Sequence, residues 1–173
     1  MQAQDITAIV NVINLYPVAV DTQQWKLFDR VFTGDASTDF GGGAIFLGLG
    51  LIKQAFAAIH EPFEATQHIT TNHQVVVDGD TASCLSYVHG RFIRQVPNGG
   101  NLFELTGWYD DQLVRGTDGW RIRIRNCRTV WWGGNPAVLQ TTPDVHVETV
   151  LKSLRTEART GNVVHVRRLL IGD

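Results

Sequence analysis

Apolar positions along this chain change their period once, near Thr66. Ahead of that point Ile6, Ile9, Val10, Ile13 and Val20 recur at helical spacing and predict an amphipathic helix over residues 5–20. Pro17 is expected to kink or end it, because proline brings no amide to the helix ladder. Trp25, Leu27, Phe28, Val31 and Phe32 predict a second, short helix. Thr33-Gly34-Asp35 then reads as a turn, residues 36–40 as a strand, and Gly41-Gly42-Gly43 as flexible chain. A third helix fits residues 51–60, with Ile52, Phe56 and Ile59 on one face and Pro62 as its stop.

After Thr66 the period is two. Residues 68–77, 81–94, 102–114 and 120–132 read as long strands. Asp78-Gly79-Asp80, Pro97-Asn98-Gly99-Gly100 and Gly116-Thr117-Asp118-Gly119 read as the turns between them. Helices first and an antiparallel meander second is an α+β pattern, with the helices packed on one face of a curved sheet. Gly133-Gly134-Asn135-Pro136 closes a domain body of residues 1–136. Val147, Val150, Leu151 and Leu154 suggest a C-terminal helix, so residues 137–173 read as a helix and tail of the same unit.

At 173 residues and 43% hydrophobic content, the chain suits one domain with a real core. A formal net charge of −2 offers no basic field, so no nucleic-acid partner is expected. Cys84 and Cys127 are too few for a disulfide framework and lack zinc-type spacing, which predicts a reducing, cytoplasmic setting and no metal. Met1-Gln2-Ala3-Gln4-Asp5 has no basic n-region, and no uninterrupted apolar run approaches the ~18 residues of a membrane span.

The candidate chemistry centres on Asp21 and His68. A carboxylate that orients an imidazole makes a general base without a metal or cofactor. Asp21-Thr22-Gln23-Gln24 also matches a helix capping box, and one carboxylate can serve both ends. Tyr16 lies on the apolar side of the first helix, as a core residue or as a donor to a substrate oxygen. His68 and His73 are five apart and fall on opposite faces of a regular strand, which argues against a two-histidine metal site. His68 then shares a polar face with Thr70 and Asn72. His89, on the next strand, reads as a second pocket histidine or as a partly exposed sheet residue. Arg121, Arg123 and Arg125 alternate with Ile122 and Ile124 as a solvated stripe would. Arg125 reaches a pocket only if the concave face is polar or a bulge interrupts the strand before Asn126. Trp25, Phe28, Phe32, Phe40, Phe56, Phe92 and Trp108 suit a core and equally a hydrophobic ring substrate.

Other motifs carry less. Gly41-Gly42-Gly43 lacks the lysine and flanking elements of a phosphate loop, and no serine sits in a Gly-x-Ser-x-Gly setting. Glu64, Glu104, Asp110 and Asp111 do not suggest the paired carboxylates of a glycosidase.

Over roughly residues 5–136 the order of elements resembles the SnoaL-like branch of the nuclear-transport-factor-2-like (NTF2-like), cystatin-related cone superfamily. Within it, Tyr16, Asp21 and His68 in Thr66-Gln67-His68-Ile69-Thr70-Thr71-Asn72 resemble the site of bile acid 7α-dehydratases and scytalone dehydratases. The Asp-His pair and the run from Trp120 to Arg125-Asn126 also resemble hexachlorocyclohexane dehydrochlorinases, which implies a catalytic role for Arg125. Tyr16 stands where those enzymes have a lysine, a departure that favours an oxygen leaving group over chloride. The resemblance implies a homotrimer of cones, each with its own deep pocket, acting without a cofactor on a small hydrophobic, cyclic substrate. His68 would be the base, Asp21 its orienter, Tyr16 and Arg125 the stabilisers, and His89, Trp25, Asn72 and Phe40 substrate contacts. An isomerase or polyketide cyclase, or a noncatalytic module like the small subunit of ring dioxygenases, fits the same scaffold.

Overall fold

Helix α1 (Gln2–Asp21) opens the chain and runs through Pro17 instead of stopping there. Ile9, Ile13, Tyr16 and Val20 form one stripe on it, all buried against the sheet. Burial contributes ~1.5–3 kcal/mol per large apolar side chain, so four of them outweigh the ~3 kcal/mol an interior proline costs. By length and composition alone, Ala3–Asp21 is apolar enough to cross a membrane, a longer apolar stretch than the sequence pattern suggested, but its stripe is packed on protein. The structure, a computed structural model, describes residues 2–141 and 149–171.

Gln23 takes a left-handed φ of 52° and turns the chain into a 3-10 turn (Trp25–Leu27) and the short helix α2 (Phe28–Val31). Strand β1 (Phe32–Asp39) follows at once. Thr33-Gly34-Asp35 is therefore strand and not turn; the irregularity the sequence pattern suggested is a register shift between Phe32 and Ser37. Gly41, Gly42 and Gly43, all at positive φ, fold the chain back so that a short strand β2 (Ile45–Leu47), absent from the sequence expectation, pairs with β1. Helix α3 (Leu49–His60) then leads into the meander β3 (Ala65–Asp78), β4 (Thr81–Ile93), β5 (Leu102–Gly116) and β6 (Gly119–Gly134).

The six strands lie in the order β2-β1-β6-β5-β4-β3, antiparallel except for the parallel β1–β6 pair. Helices α1 and α3 cover one face, and Ile9, Ile13, Phe28, Ile52, Phe56 and Ile122 form the core beneath them. Bulges bend the long strands and increase their twist. In β3, two residues, Asn72 and His73, fall between the pairs Thr71–Tyr87 and Gln74–Leu85. In β6, Arg123 is the extra residue between the Leu113–Ile122 and Gln112–Ile124 pairs, and Val130 is extra between Gly107–Thr129 and Thr106–Trp131.

The C-terminal segment departs most from expectation. Val147 lies outside the described residues, and Val150 and Leu151 are not helical. Leu151 bridges to Thr129, whose carbonyl accepts from the Lys152 amide at 2.7 Å, so backbone pairing takes the groups a helix would need. Helix α4 (Leu154–Arg159) begins only after Ser153, whose hydroxyl caps the Thr156 amide at 3.1 Å. What read as a tail forms helix α5 (Val164–Ile171), which docks on the sheet face opposite α1. Buried Asp110 on β5 accepts from the first amides of α5, Val164 at 2.6 Å and His165 at 3.1 Å, and His165 meets Ser83 on β4 at 3.0 Å.

Candidate active site

Asp21 is the last residue of α1, and its carboxylate crosses to β3. Oδ1 accepts from the His68 ring at Nδ1 (2.7 Å) and from the Thr66 hydroxyl (2.9 Å), and Oδ2 accepts from the His68 amide (2.8 Å). Thr66 and His68 can both reach it because alternate residues of a strand share a face. The capping alternative does not occur: Gln24 is the N-cap of the Trp25–Leu27 turn and makes no side-chain cap bond. Half-burial pushes the Asp21 carboxyl up, but hydrogen bonds from His68 and Thr66 outweigh it and hold it below the usual 3.8.

A carboxylate only accepts, so the hydrogen of the His68 ring lies on Nδ1 and the lone pair on Nε2. The ring lies across Gly90, its cross-strand partner on β4. A Cβ at Gly90 would stand 3.3 Å from His68 Cδ2 and 3.2 Å from Phe92 Cε2, so the missing side chain makes the room. Phe92 meets the imidazole edge to face at 5.3 Å.

His68 lines a cavity of about 580 Å³ whose wall is mainly aromatic and aliphatic, with Phe40, Phe46, Phe56, Phe63 and Phe92 prominent. Its polar side chains are Tyr16, His60, His68, Tyr109 and three threonines. Tyr16 and Tyr109 meet edge to face at 5.9 Å, and burial pushes both phenols well above their usual range, so both keep their protons.

Arg125 is inward-facing and fully buried because the Arg123 bulge shifts the strand's alternation by one. The arginine stripe thus divides. Arg121 and Arg123 stay outside on Asp29 and Asp35, while Arg125 lies behind the cavity wall between the rings of Tyr16 (4.3 Å) and Tyr109 (4.1 Å). It does not line the cavity. Two 2.7 Å bonds tie it to equally buried Asp111. Burial drives the Asp111 carboxyl up and the guanidinium opposes this; the bidentate contact holds the two as an ion pair. Among the described residues the buried guanidinium Nη1 has no hydrogen-bond partner.

The other expected contacts divide. Phe40 lines the cavity. Trp25 packs on Phe28, Phe56 and His60, outside the cavity lining. Asn72 is exposed, at a left-handed φ of 54° in the β3 bulge. That bulge also overturns the placing of His73 opposite His68. His73 and Thr70 both meet Asn14 of α1, at 3.1 and 3.0 Å, so the two histidines share a face. His89 lies on the other side of the sheet, bonded to Glu104 at 3.1 Å in a groove with Ile69 and Tyr87, because strand parity separates it from His68.

Two cavity residues that matter to the chemistry, His60 and Tyr109, had no place in the sequence reading. His60 ends α3, where a histidine reads simply as a cation favoured by the helix C-terminus. Its four-residue spacing from Phe56, on the buried face, was the available signal. Burial lowers its pKa to about 4, so it is neutral. Among the described residues no group of three or more His, Cys, Asp or Glu side chains is arranged to hold a metal ion.

Residues 1–126 match the model of the SnoaL-like domain. An uncharacterized protein of Mycobacterium tuberculosis, Rv2910c, is 37% identical over 115 residues, which span 66% of this chain and 77% of that protein. Among solved structures, a candidate scytalone dehydratase from Novosphingobium aromaticivorans is 19% identical at a TM-score of 0.73, over 89% of this chain and 96% of that one. A hexachlorocyclohexane dehydrochlorinase (LinA, type 2) is 16% identical at a TM-score of 0.70, over 83% and 97% of the respective chains. At these identities the structural likeness shows the fold alone. By the family match and the fold together, the chain belongs to the SnoaL-like domain family, with the NTF2-like fold.

Proposed function

We propose that this protein is a cofactor-independent lyase that eliminates water from a small, hydrophobic, cyclic molecule, with His68 as general base. The observation that carries the reading is the 2.7 Å bond from Asp21 to a histidine on the wall of a mainly apolar cavity. Apolar walls with a few convergent polar groups are what small-molecule sites require. Similar folds that carry the names dehydratase and dehydrochlorinase support the reaction class.

In this mechanism Nε2 of His68 takes a proton from a carbon next to a carbonyl or similar group. The C–H electron pair forms the new double bond, the C–O bond breaks, and the hydroxyl leaves as water with the proton returned from the imidazolium, while Tyr16 hydrogen-bonds the leaving oxygen. Asp21 holds the productive tautomer and offsets the imidazolium charge. Arg125, against both tyrosine rings, favours negative charge gathering at their oxygens. A placed general base supplies ~10²–10⁴-fold, so the tyrosines and the apolar wall must contribute the rest. The same reading takes the chain as a homo-oligomer, a trimer by family resemblance, with exposed Ile69, Tyr87, Val130 and Trp131 as surface for self-association.

The adjacent tyrosines Tyr16 and Tyr109, both on the cavity wall, also suit an isomerase that passes through an enolate. Mass spectrometry of products from hydroxylated cyclic ketones separates the two, since dehydration loses water and isomerisation leaves the mass unchanged. His68→Ala should abolish turnover with the fold intact; full turnover in that variant excludes His68 as the base.

A further inference from the structure

The second histidine in the cavity makes a contact of its own. His60 Nδ1 stands 2.9 Å from the Phe56 carbonyl oxygen. A carbonyl oxygen only accepts, so the ring hydrogen is on Nδ1 and Nε2 carries a lone pair. The ring is held parallel on Phe56 (5.3 Å between centroids, 13° between planes) and edge to face by Phe63 at 5.8 Å. Its backbone carbonyl receives the Gln23 side chain at 3.0 Å and the Phe63 amide at 3.1 Å. The side chain therefore has little freedom to turn. It is only 6% exposed, it lines the cavity, and among the described residues no group bonds its Nε2.

We propose that His60 Nε2 is a fixed hydrogen-bond acceptor for a hydroxyl or N–H of the substrate, beside the atom that His68 attacks. Nε2 opens on the cavity, and a ligand that fills the space there either supplies a donor or leaves the acceptor unmet, which is costly. The two imidazole centroids are 6.5 Å apart, so one small ring spans both. The substrate class is thereby narrowed. A donor group stands within a few atoms of the carbon that loses its proton, on a molecule otherwise apolar enough for the phenylalanine wall. A molecule bearing only a carbonyl or ether oxygen at that place sets acceptor against acceptor and is disfavoured. Burial keeps His60 neutral above about pH 4, so it stays an acceptor and does not repel a charged His68.

This inference rests on the cavity being the substrate site and not on the elimination, so its test reads binding alone. The probes are 2-naphthol, which donates, and 2-methoxynaphthalene, which only accepts, titrated into the full chain by calorimetry. The wild type should favour 2-naphthol by about tenfold, the worth of one neutral hydrogen bond. His60→Phe keeps the ring stack, removes the acceptor and should abolish the preference, while His68→Ala should retain it. In the wild type, the ¹⁵N resonance of His60 Nε2 should move on adding 2-naphthol and not on adding the ether, a readout independent of how any variant folds. An unmoved resonance, equal affinities, failure of both probes to bind, or a preference that survives His60→Phe but not His68→Ala would each overturn the assignment. Loss of dehydration with this pattern intact would count against the lyase reading only.

Discussion

Replacing Asp111 with asparagine keeps the shape of the side chain and removes its charge. Arg125 then remains fully buried with no carboxylate, its two 2.7 Å bonds reduced to at most one, and Nη1 still unpaired. Removing one member of a buried ion pair costs ~3–5 kcal/mol, because the orphaned charge has lost its water as well as its partner. The ring faces of Tyr16 and Tyr109, at 4.3 and 4.1 Å, hold the cation with or without Asp111 and so offset none of this loss. The net expectation is a loss of ~3–5 kcal/mol, or roughly 6–20 °C in Tm for a chain of this size. Urea titration and thermal melts followed by far-UV circular dichroism measure it. A second variant, Asp111→Leu with Arg125→Met, replaces both charges with apolar groups and should recover most of the stability, as such replacements do elsewhere. A loss below ~1 kcal/mol for Asp111→Asn would refute the picture of a tightly coupled buried pair.

Three further outcomes follow from the same geometry. Asp21 is held below 3.8, so its stabilising contribution is present above that value and disappears as pH falls through the folded-state pKa; Asp21→Asn should flatten the acid limb of stability between about pH 5 and pH 2, read from urea midpoints. Gly90→Ala puts a Cβ 3.2–3.4 Å from Phe92 and His68, and should displace the imidazole enough to cost ~10²-fold in turnover while the melting curve stays cooperative; an unchanged rate would show that the ring tolerates the shift. Asp110→Ala removes the cap of α5 and should cost ~1 kcal/mol or more, with hydrogen exchange rising at Val164 and His165 ahead of the sheet amides; uniform exchange would contradict a locally docked helix.

Much of the fold was legible because its cues are local. The period-two run after Thr66 and the glycine turns at Gly79 and Gly119 mark the meander, and the Ile9–Ile13–Tyr16–Val20 stripe marks α1. Asp21 and His68 were readable as a pair through the resemblance, since nothing in their immediate neighbours shows that they meet. The misplacement within β3 arises because a bulge breaks the strand's parity there. Asn72 and His73 exchange faces at the β3 bulge, whereas the bulge on which an inward Arg125 depended is present at Arg123, with the guanidinium behind the cavity wall and not on it. Of the two readings of His89, the partly exposed sheet residue holds, because regular parity sets it opposite His68. His60 escaped notice because a helix-terminal histidine has an ordinary electrostatic explanation. The C-terminal helices depend on Thr129 and Asp110, residues distant in sequence that no local pattern reveals.

The paired bulges of β6 make the middle of that strand a cassette read in its own phase. Trp120 and Ile122 point inward on even numbers, Arg125, Cys127 and Thr129 on odd ones, and beyond Val130 the even phase returns, Trp132 pairing with cavity-lining Leu105. The inward set between the bulges is therefore specified by residue count as much as by residue identity. Drawing Arg123 into the ladder opposite Gln112 would leave every proposed site side chain in the sequence and still turn the guanidinium of Arg125 out to the surface, whereas deleting Arg123 would keep Arg125 two positions after Ile122 and facing inward. Among relatives, where an alignment places its gaps in this strand says more about the site than how many of its residues agree.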